Sequence, residues 1–174
     1  NIGNTQKVGV EMLDVYPEGW TNEFKEMYKD VCDCPVKWAK YIEENLKADF
    51  ICLKLESSDP NGLDRSPEEC AEVAKNVVES VSLPVVIAGC GNHEKDAKVF
   101  EKVSQAVDGN NCLFLVATED NYKAVGAATT MAYSHKVVDE SSVDINLAKQ
   151  LNVLLTQLGY KPEHIVMQIG CSAV

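Results

Sequence analysis

The sequence predicts a parallel α/β fold of the (β/α)8 barrel type, incomplete here, with about six strands present. Short β-branched runs alternate with amphipathic helical patterns along the chain. Those runs are almost continuously apolar, as expected of parallel strands covered on both faces. The alternation also supplies the crossover helix that each pair of successive parallel strands requires. An open doubly wound sheet and most of a barrel both fit this order. A complete barrel typically needs about 250 residues. The chain has 174, so the expectation is one barrel domain over residues 1–174, cut short at the C-terminus and also at the N-terminus.

The first apolar run is Val8 to Val15, followed by Phe50 to Glu56, Pro84 to Cys90 and Cys112 to Thr118. A weaker fifth strand is expected over Lys136 to Ser141 and a sixth over His164 to Ile169. The helices between them have readable starts. Asp33-Cys34-Pro35 opens one with Trp38, Ile42 and Leu46 on one face. Ser66-Pro67-Glu68-Glu69 combines an N-cap serine, a proline at the first helical position and a capping-box glutamate. The predicted buried stripe of that helix is Val73, Val77 and Val81. Asn92 caps a helix burying Val99, Val103 and Val107, and Asp120 or Asn121 caps the next. Asp144 caps the last, which carries Leu147, Leu151, Leu154 and Leu158 and is stopped by Gly159.

With 16 basic and 27 acidic side chains the formal charge is −11. No cluster of Lys and Arg suits a nucleic acid or an anionic membrane, and no apolar run approaches the roughly 18 residues of a membrane span. Neither class of partner is expected. Seven cysteines are many for the length. Cys52, Cys70, Cys90 and Cys112 lie in or beside apolar runs, where a free thiol behaves as a small hydrophobe. The odd count points to reduced thiols and a cytoplasmic setting. Cys32 and Cys34 form C-x-C, which matches neither zinc nor iron–sulfur spacing, so no metal site is expected in this chain.

In parallel α/β folds ligands bind beyond the carboxyl ends of the strands. The segments there are Ser57 to Gly62, Gly89 to Asn92, Glu119 to Asn121 and Ser142 to Asn146. Gly89-Cys90-Gly91 lacks the third glycine of a dinucleotide fingerprint, because position 94 is Glu, and reads as a tight turn. His135 and His164 fall at strand starts, away from the mouth, and His93 in the first turn of a helix. No catalytic constellation emerges, although Asp14, Glu56, Asp59, Glu119 and Asp144 put carboxylates at strand ends. Asp59, Asp120 and Asp144 serve equally well in turns and helix caps. From the residues alone the prediction stops at a barrel with a polar mouth.

Longer strings carry more. Cys34-Pro35-Val36-Lys37-Trp38-Ala39-Lys40 precedes Ala48 to Leu55, then Ser58-Asp59-Pro60-Asn61-Gly62 and Arg65-Ser66-Pro67-Glu68-Glu69. Gly89 to Asp96, Glu119 to Lys123 and Asp144 to Asn152 follow. In this order and spacing they resemble the small subunit of the corrinoid iron–sulfur protein and its methanogen counterpart in the acetyl-CoA decarbonylase/synthase complex, from about residue 8 to 168. The chain departs from that family after its sixth strand, where Gln168-Ile169 replaces an Asp-Pro and Gly-Tyr-Gly stretch.

The resemblance implies a (β/α)8 barrel paired with a large subunit that carries an iron–sulfur cluster and a corrinoid-binding domain. It implies a cobalamin-type corrinoid shared with that partner at the barrel mouth. A methyl group would arrive from a methyltetrahydrofolate-linked methyltransferase and leave to acetyl-CoA synthase/carbon monoxide dehydrogenase. The chain would then be a non-catalytic carrier subunit, since cobalt supplies the chemistry. Strand-end position and the family picture together nominate Asp59, Asn61, Gly89, Gly91, Asn92, Asn121, Asp144 and Asn146 to face the corrinoid or partner. Two alternatives stand beside this reading: a pterin-binding methyltransferase using the same mouth, and a purely structural barrel subunit.

Overall fold

Six parallel strands form one sheet in chain order, β1 (Gly9–Leu13), β2 (Phe50–Lys54), β3 (Val85–Ala88), β4 (Leu113–Ala117), β5 (Lys136–Ser141) and β6 (Ile165–Ile169). The computed structural model describes residues 5–129 and 134–170. A doubly wound sheet reverses its strand order at a switch point. This sheet does not reverse, and consecutive crossovers of one hand place every helix on the same face. The order therefore selects the barrel-type winding over the doubly wound alternative. Among the described residues β1 pairs only with β2, and β6 only with β5.

The helices are α1 (Asn22–Tyr28), α2 (Pro35–Asn45), α3 (Pro67–Ser80), α4 (His93–Ala106), α5 (Tyr122–Thr129) and α6 (Ile145–Gln157). None is long and apolar enough to cross a membrane. The predicted strand spans are each one to three residues too generous, except β5, which matches. Glu56 leaves the strand for a one-turn 3-10 helix over Glu56–Ser58, and His164 lies in another over Pro162–His164.

Alternation along the strands sorts the two faces. Met12, Ile51, Leu53, Ile87, Phe114 and Val137 are fully buried against the helices. Phe50, Cys52, Lys54 and Leu113 occupy the opposite face and are only partly covered. In a closed barrel that second face is the packed interior. Here it forms an apolar cleft of about 590 Å³ near the amino ends of the strands, walled by Phe50, Val86, Leu113 and Leu115.

The caps form largely as the residues dictate. Ser66 and Glu69 complete a reciprocal capping box on α3. Asn92 Oδ1 accepts from Lys95 N at 3.0 Å on α4, and Asp144 Oδ1 accepts from Asn146 N and Leu147 N on α6. Gly159 ends α6 with φ +103°, a conformation that favours glycine. The stripe of α3 needs correction. Cys70, Ala74, Val77 and Val78 are buried, whereas Val73 and Val81 lie at the edge. Small Cys and Ala side chains make up much of the buried face, which counting valines does not reveal. On α6, Ala148, Leu151 and Leu155 make the buried face, with Leu147, Leu154 and Leu158 flanking it.

Asp139, on the helix-facing side of β5 with Val137, is 1% exposed, and neither carboxylate oxygen has a hydrogen-bond partner among the described residues. The Gln168 backbone lies near enough to oppose the effect of burial without reaching hydrogen-bond geometry, and burial prevails in raising the pKa above 3.8. Between 3.8 and that raised value the folded chain keeps a proton that the unfolded chain has released, so stability falls as pH rises through the window. Asp139→Asn is expected to be more stable than the wild type at pH 8, the difference shrinking towards pH 4. Urea unfolding at both pH values checks this, and a gap independent of pH would contradict it.

Candidate functional site

The carboxyl ends of β1 and β2 frame a cleft of about 760 Å³. Asp14, the first residue past β1, is 3% exposed. Its Oδ1 accepts from Ser57 N at 2.9 Å and its Oδ2 from the Ser57 hydroxyl. Burial raises the Asp14 pKa, opposed by the Ser57 hydrogen bonds and by the nearby Arg65 charge. The pair ties the loop after β2 to the end of β1 and sets the cleft floor. Above it, Lys54 Nζ lies 2.7 Å from Glu56 Oε2. This is an ion pair by distance, although Glu56 Oε2 lacks a properly angled hydrogen bond.

The far wall of the cleft is aromatic. Trp20 lines it and packs edge-on to Trp38 at 5.5 Å. Helix α1 is held to α2 through the same cluster, with Tyr28 centred 5.3 Å from Trp38.

Beyond β3 a second buried carboxylate organises the loop. Asp96 Oδ1 accepts from Cys90 N at 2.9 Å and from Cys90 Sγ at 3.3 Å, and Oδ2 accepts from Gly91 N at 3.0 Å. Gly89 is needed for space, because a Cβ there would lie 2.3 Å from the Asp96 carboxyl carbon. Gly91 has φ +94° and open space where a side chain would project. The tight turn read from Gly89-Cys90-Gly91 is therefore present, and its organiser is an aspartate one turn into α4.

Beyond β4, Asn121 is 8% exposed and pins its own loop. Its Oδ1 accepts from Thr118 N at 2.7 Å and its Nδ2 donates to the Val116 carbonyl at 3.2 Å. It stands at the head of α5 but turns its side chain back to the strand end instead of capping the helix. Thr118 Oγ1 lies 3.3 Å from His93 Nδ1, joining the loops after β3 and β4. The Lys95–Asp64 ion pair, at 2.6 Å, joins those after β2 and β3.

All eight nominated residues lie at the mouth end, in different settings. Asp59 Oδ1 accepts from Asn61 N at 2.8 Å and from Asn61 Nδ2 at 3.2 Å, closing a turn. Asn92 and Asp144 cap helices, Gly89 makes room for Asp96, and Asn121 is mostly buried. Asn146 is exposed. No hydrogen bond or ion pair among the described residues links Asp144 or Asn146 to the loops after β1 to β4. Asp96 and Arg65 went unnoticed in the sequence. The only signal for Asp96 was an acidic residue placed four after an Asn cap.

Chemically the mouth is a shaped polar surface with a quiet thiol, Cys90, which burial raises. Burial also pushes Cys52, midway along β2, up to about 11 and Cys112, at the amino end of β4, up to about 12, so all three stay protonated at neutral pH. The six described cysteines are unbridged, and Cys171 lies outside the described residues. No group of three or more His, Cys, Asp or Glu among the described residues is arranged to hold a metal. Among the described residues the His93–Thr118 pair has no third group hydrogen-bonded to the imidazole, as an activated nucleophile requires.

Comparison with known proteins follows the same line. The family described as CO dehydrogenase/acetyl-CoA synthase delta subunit matches residues 1–174. Acetyl-CoA decarbonylase/synthase complex subunit delta of Methanocaldococcus jannaschii is 34% identical over 165 residues, 94% of this chain and 40% of that protein. The subunit of the same name from Methanosarcina mazei is 32% identical over 172 residues, 98% of this chain and 39% of that protein. That of Archaeoglobus fulgidus is 34% identical over 148 residues, 84% and 33% respectively. The chain thus spans about two-fifths or less of the length of these relatives.

Proposed function

The chain belongs to the CO dehydrogenase/acetyl-CoA synthase delta subunit family, and we propose that it is the barrel portion of a corrinoid methyl-carrier subunit of the acetyl-CoA pathway. It works in the cytoplasm as one (β/α) domain beside a large subunit that holds the iron–sulfur cluster. The methyl group comes from a methyltetrahydrofolate-dependent methyltransferase and goes to acetyl-CoA synthase/carbon monoxide dehydrogenase. The observation that carries this reading is the mouth itself. Its loops are locked by two buried carboxylates, Asp14 and Asp96, while its one thiol, Cys90, is held protonated. Such a mouth is built to hold and position, with the reactive chemistry brought by a bound group.

The residues present fit a corrinoid, whose edge carries amide groups. Asn61, Asn92 and Asn146 offer exposed side-chain amides, and at Gly91 nothing lies within 4 Å of where a Cβ would stand, leaving backbone open to close approach. When bound, the corrinoid supplies a cobalt centre that accepts and releases methyl. The chain's own part is to orient and shield. Asn61 is pre-set by Asp59, and Asn92 by its place at the head of α4. The aromatic wall around Trp20 keeps water from one side of the cleft.

The test is the visible corrinoid spectrum of the full-length protein purified with its partner subunit from anaerobic, cobalamin-supplied cells. Asn61→Ala with Asn92→Ser and Asn146→Ala, which preserves the α4 cap, is expected to weaken corrinoid retention at least about tenfold. This estimate assigns each lost hydrogen bond about 0.5–1.5 kcal/mol. A complex that keeps its spectrum and its methyl-transfer rate in the triple variant would reduce the chain to scaffold.

A further inference from the structure

Arg65 is the single arginine in a chain with 27 acidic side chains. It is half-buried and lines the cleft beside β1 and β2. Its backbone N–H donates to the Ser57 carbonyl at 2.9 Å, which fixes its position next to the Asp14–Ser57 pair. Its guanidinium acts on the charge of Asp14 and Glu69 but makes no close pair among the described residues. All seven ion pairs among the described residues, at the 4.0 Å limit, are made by lysines, and no Arg65 side-chain hydrogen bond to a described residue is present. Arg65 is near enough to Asp14 to act on its charge yet does not pair with it.

A guanidinium presents five N–H donors in a rigid planar fork suited to a carboxylate or phosphate. Such a fork, half-buried and unpaired amid carboxylates, is set for a ligand's oxyanion, where a two-pronged charged hydrogen bond is strong. The surroundings restrict the ligand further. Glu11, Glu18, Asp33 and Asp59 also line the cleft, beside the Lys54–Glu56 ion pair, and the excess of carboxylates repels a polyanion. What they accept is a body that presents N–H donors.

We propose that Arg65 anchors one oxyanion, a phosphodiester or a carboxylate, of a ligand whose other polar groups donate N–H bonds to the surrounding carboxylates. The inference extends the cofactor reading above, and two ligand sources share this chemistry. A cobalamin carries one phosphodiester and a ring of amides, and a reduced folate carries a glutamyl tail and pterin N–H groups.

The experiment is a binding titration on the full-length subunit with its partner, comparing wild type with Arg65→Gln and Arg65→Lys. The probes are cobalamin, cobinamide (which lacks the phosphodiester-linked nucleotide), methyltetrahydrofolate and the corresponding tail-less methyltetrahydropterin. Arg65→Gln is expected to weaken cobalamin by about tenfold to a hundredfold, the scale of a charged hydrogen-bonded contact, and to leave cobinamide unchanged. Arg65→Lys should recover part of the loss, since it restores charge without the fork. An unchanged melting temperature in both variants excludes a folding cause. If the loss falls on methyltetrahydrofolate and spares both the tail-less pterin and cobalamin, the anchor stands with a folate carboxylate as its oxyanion, and a corrinoid phosphodiester is ruled out as its ligand. If cobalamin binds wild type and Arg65→Gln equally and methyltetrahydrofolate does the same, the anchor is overturned while the corrinoid reading survives. Absence of binding by all four probes to the wild type also overturns it.

Discussion

Trp38→Ala is expected to lower the unfolding free energy by about 3–5 kcal/mol, the range for deleting a fully buried large aromatic side chain. Trp38 is 0% exposed and touches both Trp20 and Tyr28. The loss therefore falls on α1 and on the aromatic wall of the cleft together. Hydrogen exchange should show α1 losing protection at lower free energy than the sheet. Trp38→Phe gives the contrast. The indole N–H is buried without a partner, so replacing the ring by a smaller one removes an unsatisfied donor while it opens some space. The net cost should stay below about 1.5 kcal/mol. Chemical denaturation of both variants measures this. A Trp38→Ala cost under 1 kcal/mol would show that the aromatic cluster is not what holds α1 in place.

Gly89→Ala should be nearly as costly, about 2–5 kcal/mol. The added methyl carbon would stand 2.3–2.5 Å from the carboxyl atoms of Asp96, and a forced shift in a packed site costs about 1–3 kcal/mol. Asp96 can give way only by leaving Cys90 N and Gly91 N, and donors left unpaired cost about 1–3 kcal/mol more. The mechanism makes a sharper demand in a double-mutant cycle. With Asp96→Ala already in place the clash has no object, so Gly89→Ala should add little. Additive losses would show that Gly89 is constrained by something other than Asp96.

The strands and helix caps were legible because each is written within a few neighbouring residues. An apolar run such as Val85–Ala88 or a Ser-Pro-Glu-Glu start has a local physical cause. Helix α1 was not anticipated. It has seven residues, and although Phe24, Met27, Tyr28 and Val31 fall at helical spacing, Phe24 and Met27 are exposed and only Tyr28 is buried within it, so the stripe is short and mostly unburied. It is held by contacts to Trp38 from outside its own segment. The site divides the same way. Positions at strand ends could be named because parallel topology fixes where they lie. What each does there depends on residues distant in sequence, as Asp14 meets Ser57 across 43 positions. Asn121 shows the limit of local reading. Its place at the head of α5 suggested a cap, but the nearer donor on Thr118 takes its oxygen.

The order of strands in the sheet has a consequence for how the chain is made. Among the described residues each strand pairs only with strands adjacent to it in the chain, so β2 to β6 can each pair with the preceding strand as soon as they emerge. At about 5–20 residues per second of translation, a unit of roughly 35 residues emerges over several seconds. Loop closure takes microseconds or less. A stalled ribosome that has released residues up to Ala106 already holds β1 to β3 with the helices that cover them, including the Asp14–Ser57 and Asp96–Cys90 contacts. The cleft beside β1 and β2 thus takes its form before β4 to β6 are made, and those strands are added in turn beside it.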